Sequence, residues 1–275
     1  MSVLELLPKT VLDKLQTLQF HTVRKRLGVR QGGHISLKRG HGIEFADYRR
    51  YVPGDNPRYI DWNVLARLDK LYVKQFQEEQ DISVLILLDS SSSMDCGGEE
   101  KEKWRTALSI ALGVAYVGLA NQDRVKIADL GGRYISPFFS ALPQAHKLAE
   151  DMLKIVPGSD QSQWKRNLLR VLTQVRFPGL LVFVTDLMFP LEIFYEIMAL
   201  CRAKNLEIST AAVFGEKDIN PFNSKQGIIA VDSETEETLN LGITSETVKE
   251  YQYLFSQHLK VVEDYCKRNE IHFIA

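Results

Sequence analysis

The chain has 275 residues, 45% of them hydrophobic and 25% charged, with a formal net charge of −1. That balance excludes long intrinsic disorder, and no unbroken apolar stretch reaches the roughly 18 to 20 residues that a membrane span needs. Charge is uneven: residues 1–80 carry a net +5 and residues 81–275 a net −6, too modest for a nucleic-acid-binding stripe and the pattern of a basic flank on an acidic domain.

The first ten residues include Glu5 and lack the basic-then-apolar order of a signal peptide, so the chain is expected to stay in the cytoplasm. Residues 11–27 place Leu15, Leu18 and Val23 near one side at helical spacing and end in a basic turn that suits the helix dipole. Residues 28–42 are glycine-rich and basic, an irregular loop. In residues 44–80, Pro53, Gly54 and Asp55 mark a turn, and residues 71–78 alternate as a strand with one exposed face.

Residues 82–88 form a short apolar run that stops at Asp89, the pattern of a fully buried parallel strand. Beyond a serine- and glycine-rich loop, residues 104–120 predict a helix whose Ala and Gly residues permit close packing. Residues 124–130 read as a second strand, with residues 133–135 beside it. Helices over 144–155 and 163–175 flank a PGSDQS loop, and the buried strand over 180–185 again ends in an aspartate, Asp186. A helix over 191–203, a strand over 207–213, short strands near Ile228 and Leu239, a helix over 245–268 and a strand over 271–274 complete the chain. This alternation requires crossover connections. It predicts an α/β fold, a doubly wound, mostly parallel sheet, preceded by an N-terminal helical and extended segment. Residues 1–80 are expected to pack on the sheet of an 81–275 domain.

Two strand ends carry the chemistry: Asp89 to Ser93 (DSSSS) and Thr185-Asp186. In open α/β sheets ligands sit at the carboxyl ends of strands, where the strand order reverses. Two carboxylates in one crevice repel unless one is protonated or a cation balances them. The Ser91 and Ser93 hydroxyls are hard oxygen ligands of the kind that complete a Mg²⁺ shell. The alternative is that the same residues act as caps, the serines on the following turn and Asp186 on the helix near Leu191. Either cap alone is common; both after apolar strands with DxSxS spacing are less so. Other chemistries fit poorly. A haloacid-dehalogenase-like phosphatase needs a carboxylate where Ser91 stands, and the GxxxxGK[ST] and GxSxG motifs are absent. The six histidines make no HExxH, and Cys96, Cys201 and Cys266 form no CxxC pair or disulfide framework. Cys96 has no histidine near it in sequence, which makes it a poor nucleophile candidate.

The DxSxS core of Asp89, Ser91 and Ser93, with Thr185-Asp186 as the distal aspartate, resembles the metal-ion-dependent adhesion site of von Willebrand factor A domains. The resemblance implies Mg²⁺ or Mn²⁺ held directly by the serines and largely through water by the aspartates. That family adds a loop threonine, and this chain has none between Asp129 and Leu172. Ser162 or Ser159 stands in the equivalent loop, and Ser162 completes the expected metal set of Asp89, Ser91, Ser93, Ser162 and Asp186. Residues 44–67 interleave aromatics with arginines and aspartates, which suits a network of ion pairs and stacking. This segment, with Tyr51, Gly54, Asp55, Arg58, Asp61, Trp62 and Arg67, resembles the hallmark of the bacterial DUF58 family. An acidic VDSETEE run at 231–237 follows in family order.

That resemblance implies a von Willebrand factor A-like (Rossmann-like) domain and a non-enzymatic partner of MoxR-type AAA+ ATPases, acting in assembly or maturation of a protein complex. The hallmark residues then either contact a partner or cement the segment into the fold. A metal-dependent hydrolase, or nucleic-acid binding through the basic N-terminal region, are the alternatives.

Overall fold

The computed structural model describes residues 6–20, 43–78, 82–95, 102–158, 162–175, 179–221, 228–231, 238–241 and 244–275. The glycine-rich stretch 28–42, Cys96, Ser159 and residues 232–237 of the acidic run lie outside them. The chain divides into two compact units, one formed by Met1–Thr22 with Ile82–Ala275 and the other by Val23–Asp81.

In the larger unit the chain begins with α1 (Lys9–Leu15), started by Pro8, whose missing N–H costs nothing at a helix entrance. The helix expected over 11–27 therefore starts earlier and stops at Leu15, and residues 21–27 lie outside the described set. Residues 6–20 instead run along a later helix. Leu6 and Leu7 are buried, Ser109 Oγ donates to the Leu6 carbonyl at 3.1 Å, and Asn121 Nδ2 donates to that of Leu18 at 2.7 Å.

The smaller unit pairs β1 (Ile43–Arg50) antiparallel with β2 (Tyr72–Glu78), with α2 (Trp62–Leu68) between them. Neither β1 nor α2 is among the expected elements.

The larger unit's remaining elements are β3 (Ser83–Leu88), α3 (Glu102–Ala120), β4 (Arg124–Asp129), α4 (Ala145–Met152), α5 (Trp164–Leu172), β5 (Gly179–Thr185), α6 (Leu191–Ala203), β6 (Glu207–Ala212) and α7 (Glu216–Ile219). The short antiparallel pair β7 (Ile228–Val231) and β8 (Thr238–Leu241), then α8 (Ser245–Arg268) and β9 (His272–Ile274), follow. Five strands form one sheet in the order β4-β3-β5-β6-β9, every pair parallel.

Alternation along the central strands builds two cores, as a period of two requires. Val84, Ile86 and Leu88 of β3, with Val182 and Val184 of β5, face Trp104, Leu108 and Leu112 of α3 and Leu148 of α4. Leu85 and Leu87, with Leu181 and Phe183, face Leu168 of α5, Phe194 and Met198 of α6 and Val262 of α8. The apolar runs expected to be fully buried strands are therefore covered on both faces. Helix α3 comes close to the sheet: a methyl group at Gly118 would lie 2.7 Å from Val125 Cγ2. Cys201 and Cys266 belong to the second core, and burial pushes their thiols up to about 12 and about 11.

The β4 edge is closed by the segment that follows it. Val125 and Phe139 exchange backbone hydrogen bonds at 2.7 and 2.8 Å, and a second bridge joins Ala128 to Ile135, where the sequence predicted a pairing segment. No helix among the described residues is long and apolar enough to cross a membrane.

Candidate functional site

The order β4-β3-β5 reverses the chain's direction of travel across the sheet, and Asp89 and Asp186 stand at the carboxyl ends of β3 and β5, at that reversal. Parallel register sets Leu88 beside Val184, so Asp89 meets Thr185. Both aspartates are fully buried, with Ser91 and Ser93 nearly so.

Asp89 is held on both carboxylate oxygens. Oδ1 accepts the Ser91 N–H at 3.0 Å and Oδ2 accepts the Thr185 hydroxyl at 2.7 Å. Thr185 in turn accepts the Leu187 N–H at 3.0 Å, which ties the two strand-end loops together. The hydroxyls of Ser91 and Ser93 lie 2.9 Å apart and share one hydrogen bond. Burial, and then the charge of Asp186, raise the Asp89 pKa, so this carboxyl resists ionisation where it sits.

The cation facing Asp186 is a side chain that sequence reasoning missed. Lys103, in the first turn of α3, extends its ammonium to the strand ends with its side chain only 1% exposed. Nζ lies 2.6 Å from Asp186 Oδ2, 2.8 Å from Asp218 Oδ2 and 3.0 Å from the Ser93 carbonyl oxygen. An ammonium has three N–H donors, and three oxygens surround this one. Burial pulls the Lys103 pKa down, but the charges and hydrogen bonds of Asp186 and Asp218 outweigh that and raise it, so the lysine stays charged. Asp186 Oδ1 is also engaged, by the Met188 N–H at 3.0 Å, and Asp218 Oδ2 accepts the Gly215 N–H at 2.8 Å. Lys103 thus joins the loops after β3, β5 and β6.

Two further residues complete the strand ends. Asp129, closing β4, accepts the Ser90 hydroxyl at 3.1 Å and the Tyr134 N–H at 2.6 Å. Gly158 N–H lies 3.0 Å from the Ser90 carbonyl and 3.3 Å from that of Ser91, bringing the loop expected to supply a ligand against the serine turn. Ser162 itself is exposed, in the turn before α5, unlike the buried Asp89, Ser91, Ser93 and Asp186.

A divalent ion of the kind implied by the adhesion-site resemblance does not fit this arrangement. Its water shell would have to reach Asp186, and an ammonium already lies 2.6 Å from Oδ2 of that carboxylate. Both Asp89 oxygens and the two serine hydroxyls are committed to protein partners. Among the described residues no group of three or more His, Cys, Asp or Glu could hold a metal.

The hallmark segment forms its own network in the smaller unit. Asp55 accepts from Arg49 at 2.8 Å and from the Val52 N–H at 2.9 Å, closing the turn at Gly54, whose φ of +107° favours glycine. Asp61 caps α2, accepting the Asn63 and Val64 N–H groups at 2.9 and 3.2 Å. Its Oδ2 also takes the Tyr48 hydroxyl at 2.8 Å and Lys74 Nζ at 3.0 Å. Tyr48 and Tyr72 meet edge to face at 6.4 Å. Asp55 and Asp61 are thereby built into the fold and Tyr51 is half-buried, whereas Gly54, Arg58, Trp62 and Arg67 are exposed, Trp62 by 62%.

Hydrogen bonding by Lys74, then by Tyr48, lowers the Asp61 pKa to about 2. A lowered folded-state pKa stabilises above the unfolded value near 4 and is lost as pH falls through the folded one. Carboxyl-detected NMR should find Asp61 ionised until pH approaches about 2, and a midpoint near 4 would show that the network does not form.

A family model described as protein of unknown function DUF58 matches residues 47–260. Uncharacterized protein Rv1480 of Mycobacterium tuberculosis (strain ATCC 25618 / H37Rv) and uncharacterized protein Mb1516 of Mycobacterium bovis (strain ATCC BAA-935 / AF2122/97) are each 25% identical to this chain over 211 residues, 74% of its length. The match covers 65% of each relative, so the chain corresponds to about two thirds of their length. Among solved structures, similarity extends to an aerotolerance-related membrane protein from Bacteroides fragilis NCTC 9343 carrying multiple mutations to serines (16% identity, TM-score 0.38, 70% of this chain and 90% of that one). It extends also to the conserved hypothetical protein BatB from Bacteroides thetaiotaomicron (16% identity, TM-score 0.34, 66% and 99%).

Proposed function

The chain belongs to the DUF58 family, and from its site we propose that it is a non-enzymatic protein-interaction module. The observation that supports this most directly is the state of the crevice at Asp89 and Asp186. Among the described residues, its carboxylates and hydroxyls are engaged by one another, by Thr185, by backbone N–H groups and by the Lys103 ammonium. Among the described residues, His258 places Nε2 3.0 Å from the Leu187 carbonyl oxygen.

The partner is a protein, and a MoxR-type AAA+ ATPase engaged in assembly or maturation of a complex is the candidate that the family resemblance supplies. Two surfaces serve this role: the strand-end crevice, and the exposed hallmark residues Arg58, Trp62 and Arg67. Arg and Trp are enriched among residues that dominate binding energy. Mg²⁺ or Mn²⁺ enters this reading only if Lys103 withdraws from Asp186, with Asp89, Ser91, Ser93 and Ser162 as the remaining donors.

Immobilised wild-type protein should retain a purified MoxR-type ATPase from the same genome, and Ser91→Ala and Trp62→Ala should each reduce the amount retained. Ser91→Ala deletes one hydroxyl beside the crevice and leaves the Lys103 contacts in place, so circular dichroism should report an unchanged fold. Retention equal to wild type in both variants would remove these surfaces from the interaction.

A further inference from the structure

We propose that Lys103 is the resident cation of the strand-end site, its ammonium standing where an adhesion-type site would hold a divalent ion, so that the crevice works without a metal. Three observations carry this. The ammonium is enclosed by one oxygen from each of the three segments that follow β3, β5 and β6, at 3.0, 2.6 and 2.8 Å. Its side chain is 1% exposed, and withdrawing it would leave buried Asp186 and partly buried Asp218 without their counter-charge. A magnesium ion needs oxygen ligands at about 2.1 Å in near-octahedral geometry. An ion held on the serine hydroxyls, reaching Asp186 through water, would share that carboxylate with a cation already 2.6 Å from Oδ2.

The lysine also does something a metal in this position would do: it fixes the loops after β3, β5 and β6 to one point on α3. A covalently tethered cation keeps them fixed whatever the surrounding ion concentration. The inference concerns the same crevice as the interaction reading, but its test reads metal binding directly and stands whether or not a partner is found.

The experiment is calorimetric titration of Mg²⁺ and of Mn²⁺ into EDTA-stripped wild type, Asp186→Ala, Lys103→Met and the Lys103→Met/Asp186→Ala double variant. Wild type should give no saturable heat at millimolar ion. Lys103→Met should acquire saturable binding, and the double variant should lose it. Saturable binding by wild type that disappears in Asp186→Ala overturns the proposal. So does a folded Lys103→Met that still binds no ion, because the lysine would then not be what excludes it. Should Lys103→Met fail to fold, wild type labelled with ¹⁵N in its lysine side chains decides the matter. One ammonium signal should be protected from exchange and unmoved by Mg²⁺, and its displacement by Mg²⁺ overturns the proposal.

Discussion

Lys103→Met should lower the free energy of unfolding by about 3–5 kcal/mol, the usual cost of removing one partner from a buried ion pair. The cost arises in what is left behind. Methionine fills much of the lysine's volume, so packing changes little, but Asp186, fully buried, and Asp218, 13% exposed, lose the charge that balances them. Urea denaturation followed by circular dichroism measures the change, and the denaturant slope should stay near the wild-type value because the same surface is exposed on unfolding. Asp218→Asn in the Lys103→Met background should be less harmful than in the wild type, since it removes an unbalanced charge, and a double-mutant cycle isolates that coupling. A loss below about 1 kcal/mol, typical of exposed ion pairs, would mean that the lysine faces solvent.

Phe183→Ala should cost a similar amount, about 3–5 kcal/mol, for the opposite reason. Phe183 is fully buried in the middle of β5, beside Leu87 in the parallel register, on the face covered by α5, α6 and α8. Its ring lies 6.4 Å from that of Phe189. Truncation leaves a cavity between rigid elements that cannot collapse, and a domain with a total stability of about 5–15 kcal/mol has little to spare. The thermal midpoint should fall by several degrees, and a loss under about 1 kcal/mol would mean that neighbouring side chains fill the space. One lysine at the end of the sheet is thus comparable in weight to a fully buried phenylalanine of the second core.

The parallel sheet was legible because ISVLILL and LLVFVT are short, uninterrupted and end in aspartates, which only a strand buried on both faces tolerates. The smaller unit was not. In β1 the sequence IEFADYRR mixes charges with aromatics, and its register slips between Phe45 and Asp47, so no clean alternation survives. Helix α2 is seven residues long, too short for a periodic signal, and its marker, Asp61 as N-cap, was absorbed into the hallmark pattern.

At the site, Asp89 and Asp186 could be read because each directly follows a buried strand, and Ser91 and Ser93 because they complete the DxSxS spacing. Lys103 could not, although a trace of it was present. It stands one helical step before Ala107, Ala111 and Ala115, all buried, so a lysine heads a stripe of small buried residues. Only tertiary contact shows where its ammonium goes, and Asp218, in a short helix of mixed charge, offered no pattern at all.

The closed β4 edge bears on how copies of this protein can meet. Growth of a sheet by addition of further chains needs an open edge on each side, and bridges at Phe139 and Ile135 seal one of them. Among the described residues the opposite edge is β9, three residues long, a template that short strands keep weak. Among the described residues, two copies joined through that edge would each present outward only the sealed β4 edge of this five-stranded sheet. Such pairing about a two-fold axis terminates growth of that sheet at a dimer.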